Sequence, residues 1–218
     1  MHPTRHMADV SSNNRFYNAE QYRAAGHTRV AIKATESSDY VNPDLTDWAR
    51  ASHRQGMAVS FYHFCRPENH NVVTEINHFW RHVKPLWLPG DALHLDLEVA
   101  IALFGPEDLA RYHNKASALL RRVSGHDTIT YMNESYYDSL SSYLETQYKE
   151  YWIAAYGPRR PRTRGRHKLW GWQFTDGVQG PAPHSAAGVG QCDLSSVNLR
   201  TVTADFLRLA RTRRRAVG

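Results

Sequence analysis

Apolar positions along the chain fall into two alternating patterns. Short apolar runs bounded by turn residues read as strands at Met7–Val10, Val30–Thr35 and Met57–Phe64, and Asp91–Glu98 alternates strictly between apolar and polar. Between them the apolar residues recur at helical spacing. One helix covers about 17–25 and ends at Gly26. A second starts near Asn42 and Pro43, carries Leu45, Trp48 and Ala49 on one face, and stops at Gly56. A third, 72–84, aligns Ile76, Phe79, Trp80 and Val83. In 106–124, Pro106 followed by Glu107 and Asp108 marks a helix start, and Leu109, Tyr112, Ala116, Leu119, Leu120 and Val123 form its buried stripe.

The second half reads differently. Thr128–Met132, Tyr151–Tyr156, Leu169–Thr175 and Gln191–Leu194 are expected strands, but the segments between the last three are too short or too rich in Pro and Gly for full helices. From Ser196 a closing helix is expected, with Leu199, Val202, Phe206 and Leu209 on its buried side, running into Arg211–Arg215. Alternating strands and helices predict an α/β chain with a mostly parallel sheet. Eight strands with about five helices predict an incomplete barrel in a single domain over 7–210, flanked by an N-terminal extension, 1–6, and a basic tail, 211–218.

Composition supports a packed globular body. Of 218 residues 41% are hydrophobic and 22% charged, which excludes a largely disordered chain. The formal charge of +6 is unevenly distributed. Six bases lie in 158–168 and five in 208–215, with no acid in either segment; setting those eleven aside leaves 16 bases against 21 acids, a balance of −5. The body is therefore acidic and carries two basic appendages, which suit an anionic partner reached locally: nucleic acid, membrane surface or wall polymer. Two cysteines, Cys65 and Cys192, are too few for a disulfide framework and lack zinc spacing, and either a disulfide or free thiols fits them. The N-terminal residues have no apolar core of a secretory signal, and no stretch reaches the ~18 apolar residues of a membrane span. Synthesis in the cytoplasm without membrane insertion is expected.

The alternating segment 91–98 carries the most chemistry. Side chains on a strand point to opposite faces in turn, so Leu93, Leu95 and Leu97 share one face and His94, Asp96 and Glu98 the other. Positions two apart place their Cα atoms roughly 6.5–7 Å apart, so the two acids repel each other in an enclosed place and one should have a raised pKa. A protonated carboxyl beside an ionised one is what cleavage of a glycosidic bond requires. Taken alone, the pair fits equally well a strand end that caps a helix or pairs with arginine. Asp9 at the end of the first strand and Asp193 at the end of the last add two more acids at carboxyl ends, the face where barrel enzymes carry their chemistry.

These residues resemble glycoside hydrolase family 25, the lysozymes (N-acetylmuramidases) of bacterial, fungal and phage lysins. The matching pieces are Asp9-Val-Ser-Ser, Lys33-Ala-Thr-Glu36, Ser60-Phe-Tyr-His-Phe64, Asp96-Leu-Glu98, Tyr131-Met-Asn133, Tyr151-Trp-Ile-Ala-Ala-Tyr156, Leu169-Trp-Gly-Trp-Gln-Phe174 and Asp193, in order over about residues 7–198. The resemblance implies a single modified TIM-like barrel, (β/α)5β3, that hydrolyses the β-1,4 bond between N-acetylmuramic acid and N-acetylglucosamine in peptidoglycan with net retention. It implies Glu98 as general acid/base, Asp96 as its acidic neighbour, and Asp9 and Asp193 as flanking carboxylates. Tyr62, Tyr131, Tyr156, Trp172 and Gln173 correspond to groove positions, and Lys33 and Glu36 to polar substrate-binding positions. No cofactor or metal is implied. Ser37 replaces a glycine frequent after the Lys-Ala-Thr-Glu run, and Ser195 an asparagine frequent two residues after the last acid; neither change removes a carboxylate.

Other readings explain less. His78 and His82 are four apart on a helix, but Phe79 stands where the general base of a zinc protease belongs. A catalytically inactive wall-glycan-binding module would keep an aromatic groove and could lose the acids, all four of which are present. A nucleic-acid-binding protein would use the basic loop and tail, but no recognised module accompanies them. Arg159, Arg160, Arg162, Arg164 and Arg166 follow a strand end and should lie on the active-site face, where they would attract anionic wall polymers. A solvated loop is the alternative for that segment. The expected workplace is the bacterial cell wall, or the medium after release.

Overall fold

The computed structural model describes residues 6–14, 17–69, 71–98, 103–145, 147 and 150–197. Strand β1 (His6–Val10) is followed by α1 (Ala19–Ala24), β2 (Arg29–Glu36), α2 (Leu45–Arg54), β4 (Ala58–Phe64), α3 (Val72–Val83), β5 (Ala92–Asp96), α4 (Pro106–Ser124), β6 (Thr128–Asn133) and α5 (Glu134–Leu140). The two-residue strand β3 (Tyr40–Val41) folds back onto the end of β2. Then β7 (Glu150–Ala154), β8 (Lys168–Thr175) and β11 (Leu194–Val197) follow with no helix between them, the last two separated by a hairpin of β9 (Ser185–Ala186) and β10 (Gly190–Gln191).

Seven strands, β1, β2, β4, β5, β6, β7 and β8, lie parallel to one another in that order. Strand β11 closes the barrel by pairing antiparallel with both β8 and β1. Five helices after the first five barrel strands, then three strands without helices, make the expected (β/α)5β3 arrangement.

The helix boundaries follow local chemistry. Asn18 caps α1 by accepting the Gln21 N–H at 3.0 Å, and Asn133 caps α5 by accepting the Tyr136 N–H at 2.9 Å. Pro106 occupies the first turn of α4 beside Glu107 and Asp108, and Gly125 ends it at φ +75°, a left-handed conformation costly for residues with a Cβ.

Two apolar layers result. Outside the barrel, Leu93, Leu95 and Leu97 are each 1% exposed in a layer that includes Ile76 and Phe79 of α3 and Leu109 and Leu120 of α4. Inside it, Met7, Ala31, Tyr62, Tyr131, Trp152 and Trp170 fill the lumen. His94, on the lumen side as the alternation predicts, is fully buried with its ring edge-on to Trp152 and Trp170 at 5.4 and 4.8 Å. Burial lowers its pKa well below the usual range, so it packs there as a neutral ring.

The last strand departs from the sequence expectation. Gln191–Leu194 was expected to be a strand ending at its acid, but Gly190 and Gln191 belong to the small hairpin and the closing strand begins at Leu194. Asp193 therefore precedes its strand. Because β11 is antiparallel, its N-terminal end still opens on the face where the parallel strands end. Ser196 and Val197 are strand residues, since they complete the ladder to His6, Trp172 and Gly171. The expected closing helix with Leu199, Val202, Phe206 and Leu209, and the basic tail, lie outside the described residues.

Candidate active site

Five carboxyl groups reach one cleft of about 420 Å³ at the carboxyl face of the barrel, four of them the acids singled out in the sequence. Asp9 comes from β1, Asp96 ends β5, Glu98 lies two residues further on, and Asp193 immediately precedes β11. Tyr62, Phe64, Tyr131 and Trp152 supply aromatic walls, and Lys33 and Gln173 complete the polar floor.

The acids differ in surroundings. Asp96 is 6% exposed and its Oδ1 has no hydrogen-bond partner in the protein, whereas Glu98 opens to solvent at the cleft. Burial pushes the Asp96 carboxyl well above the usual range, and the negative charge of Glu98 adds to it, while Lys33 pulls it down. Glu98 is also raised, chiefly by loss of solvent around it, with the nearby Tyr131 hydroxyl and the charge of Lys33 opposing. The sequence leads to the expectation that one of the pair is raised. Both are raised, and the stronger push falls on Asp96, because it sits deeper. Asp9 is raised well above its usual value by burial and by Asp193, and Asp193 is pushed up to about 6 by burial and the charges of Asp176 and Glu98. This cluster retains protons at a pH where ordinary carboxyls have lost them.

Gln173 organises the cluster. Its amide N–H groups donate to Asp9 Oδ2 at 2.9 Å and to Asp193 Oδ2 at 3.3 Å, and its oxygen accepts from Tyr131 at 2.7 Å and from Tyr156 at 2.9 Å. All four hydrogen-bonding positions of the amide are thus used. Its neighbour Trp172 does something else. A bulge in β8 pairs Tyr151 with Leu169 but Trp152 with Gly171, so Trp170 and Gly171 both face the lumen and the alternation inverts. Gln173 then points inward, while Trp172 packs on the outer layer against Phe174, its indole N–H donating to Ala155 O at 2.8 Å. Trp172 does not line the cleft.

The remaining expected residues divide. Tyr62 and Tyr131 line the cleft, as does Lys33. Glu36 stands behind Lys33 and binds its ammonium at 2.6 Å. Tyr156 is 40% exposed and forms the wall of a neighbouring groove of about 840 Å³ with Arg159, Arg160, Arg162 and Arg164, leaving Arg166 outside it. In that groove Arg164 pairs with Asp138 at 2.9 Å.

Sequence reasoning did not single out Phe64, Trp152 or Asp176, which also line the cleft. Phe64 shares the strand face of Tyr62, and Trp152 shares that of Ala154, so period-two alternation marks both. Asp176 follows β8 directly, a position at the same barrel face as the other acids.

Among the described residues, no group of three or more His, Cys, Asp or Glu side chains is arranged to hold a metal. His78 is 5% exposed, with Nε2 at 3.1 Å from Tyr40 O and its ring against His82. Cys65 and Cys192 are both buried free thiols. No helix among the described residues is long and apolar enough to cross a membrane.

Residues 8–182 match the family model described as "Glycosyl hydrolases family 25". An autolytic lysozyme of Clostridium acetobutylicum is 25% identical over 180 residues, which are 80% of this chain and 53% of that protein. The chain thus spans about half the length of that relative. In fold, it is similar to the bacterial lysozyme from Streptomyces coelicolor (TM-score 0.75, 18% identity, 93% of this chain and 97% of that one). A muramidase from Acremonium alcalophilum has a similar fold (TM-score 0.73, 16% identity, 92% and 98%).

Proposed function

The chain belongs to glycosyl hydrolases family 25, and on that premise we propose that it is a muramidase, cleaving the β-1,4 bond between N-acetylmuramic acid and N-acetylglucosamine in peptidoglycan. The observation that carries this reading is the set of acids around one aromatic-walled cleft, among them Asp96 at the end of β5 and Glu98 two residues beyond it. Apolar sugar faces pack on aromatic rings, and the hydroxyl and amide groups of the sugar find fixed polar partners in such a cleft.

Glu98 is the general acid/base, because it is the member of the pair that opens to the cleft and its raised pKa keeps a proton available. Asp96, which lines the same cleft at greater depth, takes the N–H of the substrate's acetamido group. The acetamido oxygen then attacks the anomeric carbon as the glycosidic C–O bond breaks, and the Glu98 proton passes to the leaving oxygen. Water opens the resulting ring at the same carbon and gives its proton to Glu98, so configuration is retained. Asp9 and Asp193, tied together by Gln173, flank the positive transition state.

Arg159, Arg160, Arg162, Arg164 and Arg166 extend this reading to the wall as a whole. Four of them line a groove that shares Tyr156 with the catalytic cluster, and they would hold anionic wall polymers while the glycan lies in the cleft. The site of action is the cell wall.

A reducing-end assay on purified peptidoglycan tests the proposal. The protein should release reducing ends and Glu98→Gln should release none while remaining folded. Binding without release would make the chain a wall-glycan-binding module, and a Glu98→Gln variant within severalfold of the parent would overturn the assignment of the acid.

A further inference from the structure

Among the described residues that line the cleft, Lys33 is the only cation. A lysine on a four-carbon stem has many rotamers, so its position needs a cause. Glu36 Oε2 accepts from Lys33 Nζ at 2.6 Å, and the other oxygen of the same carboxylate accepts from Arg66 Nε at 2.8 Å and from Nη2. Both cations also lie over the ring of Phe64, at 4.7 Å for Lys33 and 4.8 Å for Arg66. Arg66 is held at its backbone as well. Its N–H donates at 3.1 Å to Glu75 Oε2, on a carboxylate that is fully buried and also accepts from the Tyr112 hydroxyl at 2.8 Å. The chain of contacts therefore runs from a buried anchor on α3, through Arg66 and Glu36, into the cleft.

The geometry points to Arg66 as a positioning residue for glycan cleavage, one that uses Glu36 to hold the Lys33 ammonium against the Asp96 and Glu98 carboxyls. This rests on the muramidase reading above. Glu36, shared between two cations, neutralises Lys33 only in part, and Phe64 restrains both. Without Arg66 the whole charge of Glu36 falls on Lys33, and the pair is held at the cleft wall only by the rings of Phe64 and Tyr40.

The electrostatic surroundings make that position matter. Asp96 faces Glu98 beyond its own strand, Lys33 and Glu36 from β2, Asp9 from β1, Tyr62 from β4, Tyr131 from β6, and Asp193 ahead of β11. Every charged group in that set except Lys33 is an acid. Among the described residues, Lys33 is also the cation that pulls both Asp96 and Glu98 down. Losing its hold raises both midpoints, so the pH range over which the pair keeps a proton, and with it the pH profile of kcat/KM, moves to higher pH.

Carboxyl 13C titration of Asp96 and Glu98 by NMR, with the pH profile of peptidoglycan cleavage, tests the relay. Lys33→Met should raise the Asp96 midpoint by roughly 0.5–1 pH unit, and Arg66→Met should raise it in the same direction by less. In the Lys33→Met background, Arg66→Met should add less than it does alone, since only the direct charge of Glu36 then remains. Arg66→Lys, which keeps the charge but not the fork, should restore part of the shift, and it serves in place of Arg66→Met if that variant does not fold. Unchanged midpoints in the Arg66 variants, or a shift that adds in full to that of Lys33→Met, would overturn the inference. A wild-type protein that titrates as expected but cleaves no peptidoglycan would overturn the muramidase reading and leave the relay standing.

Discussion

The amide of Gln173 on β8 donates to Asp9 Oδ2 on β1 at 2.9 Å, joining residues 164 positions apart across the place where the barrel closes. That bond lowers an Asp9 carboxyl which burial and Asp193 otherwise raise. Replacing Gln173 with leucine leaves two carboxyls and two tyrosine hydroxyls without this partner. A lost hydrogen bond to a charged group costs about 1.5–3 kcal/mol, so kcat/KM should fall about 10²-fold, measured by release of reducing ends. Activity within threefold of the parent would show that the carboxyls are positioned without it.

Asp193 provides a stability test with a definite sign. Its pKa is pushed up to about 6 in the folded protein, against about 3.9 in an unfolded chain. Between those values the native state binds the proton more tightly, so this group's contribution to stability falls as pH rises from about 4 to about 6. Asp193→Asn does not titrate. Thermal melts should therefore show the variant a few degrees more stable at pH 7 and equal to the parent at pH 4, while catalysis is reduced. Equal melting temperatures at both pH values would contradict the raised carboxyl.

Gly171 is the residue that lets the bulge in β8 close over the lumen. A Cβ there would stand 3.1 Å from Trp152 Cδ1 and 3.6 Å from Val197 Cγ1. Trp152 cannot easily give way, because its indole N–H is held by Ser195 Oγ at 2.8 Å. Gly171→Ala should cost about 1–3 kcal/mol, read as a lower denaturant midpoint at unchanged slope, and Gly171→Val should cost more.

The arginine groove predicts a salt effect separate from catalysis. Changing Arg159, Arg160 and Arg162 to glutamine should weaken sedimentation with cell walls severalfold at low ionic strength and flatten its salt dependence. Cleavage of a short uncharged glycan should be unaffected, since these side chains line the neighbouring groove and not the cleft. Wall binding that is unchanged at every ionic strength would assign the loop no part in it.

Much of the architecture follows from local signals. Strict alternation over Leu93–Glu98 identifies the outer leucines and the inner acids from six residues, because a pleated strand has only two faces. The start of α4 at Pro106 and its stop at Gly125 follow from backbone preferences of those two residues. The short α5 was missed, since Glu134–Leu140 is only seven residues and its cap, Asn133, is also the last residue of β6. The hairpin of β9 and β10 was missed for a similar reason: two-residue strands have no period to detect.

Residue types and alternation determine that acids and aromatics gather at the carboxyl ends of parallel strands. Tertiary structure decides which of them meet. Asp193 reaches the mouth because β11 runs antiparallel between β8 and β1, and a strand's direction depends on partners far away in sequence. Gln173 turns inward and Trp172 outward because one extra residue in β8 shifts its register against β7, a choice set by packing around Trp152 and Gly171. The depth that raises Asp96 above Glu98 is likewise a property of the closed barrel: burial depends on everything packed around a group, and a strand taken alone has no inside.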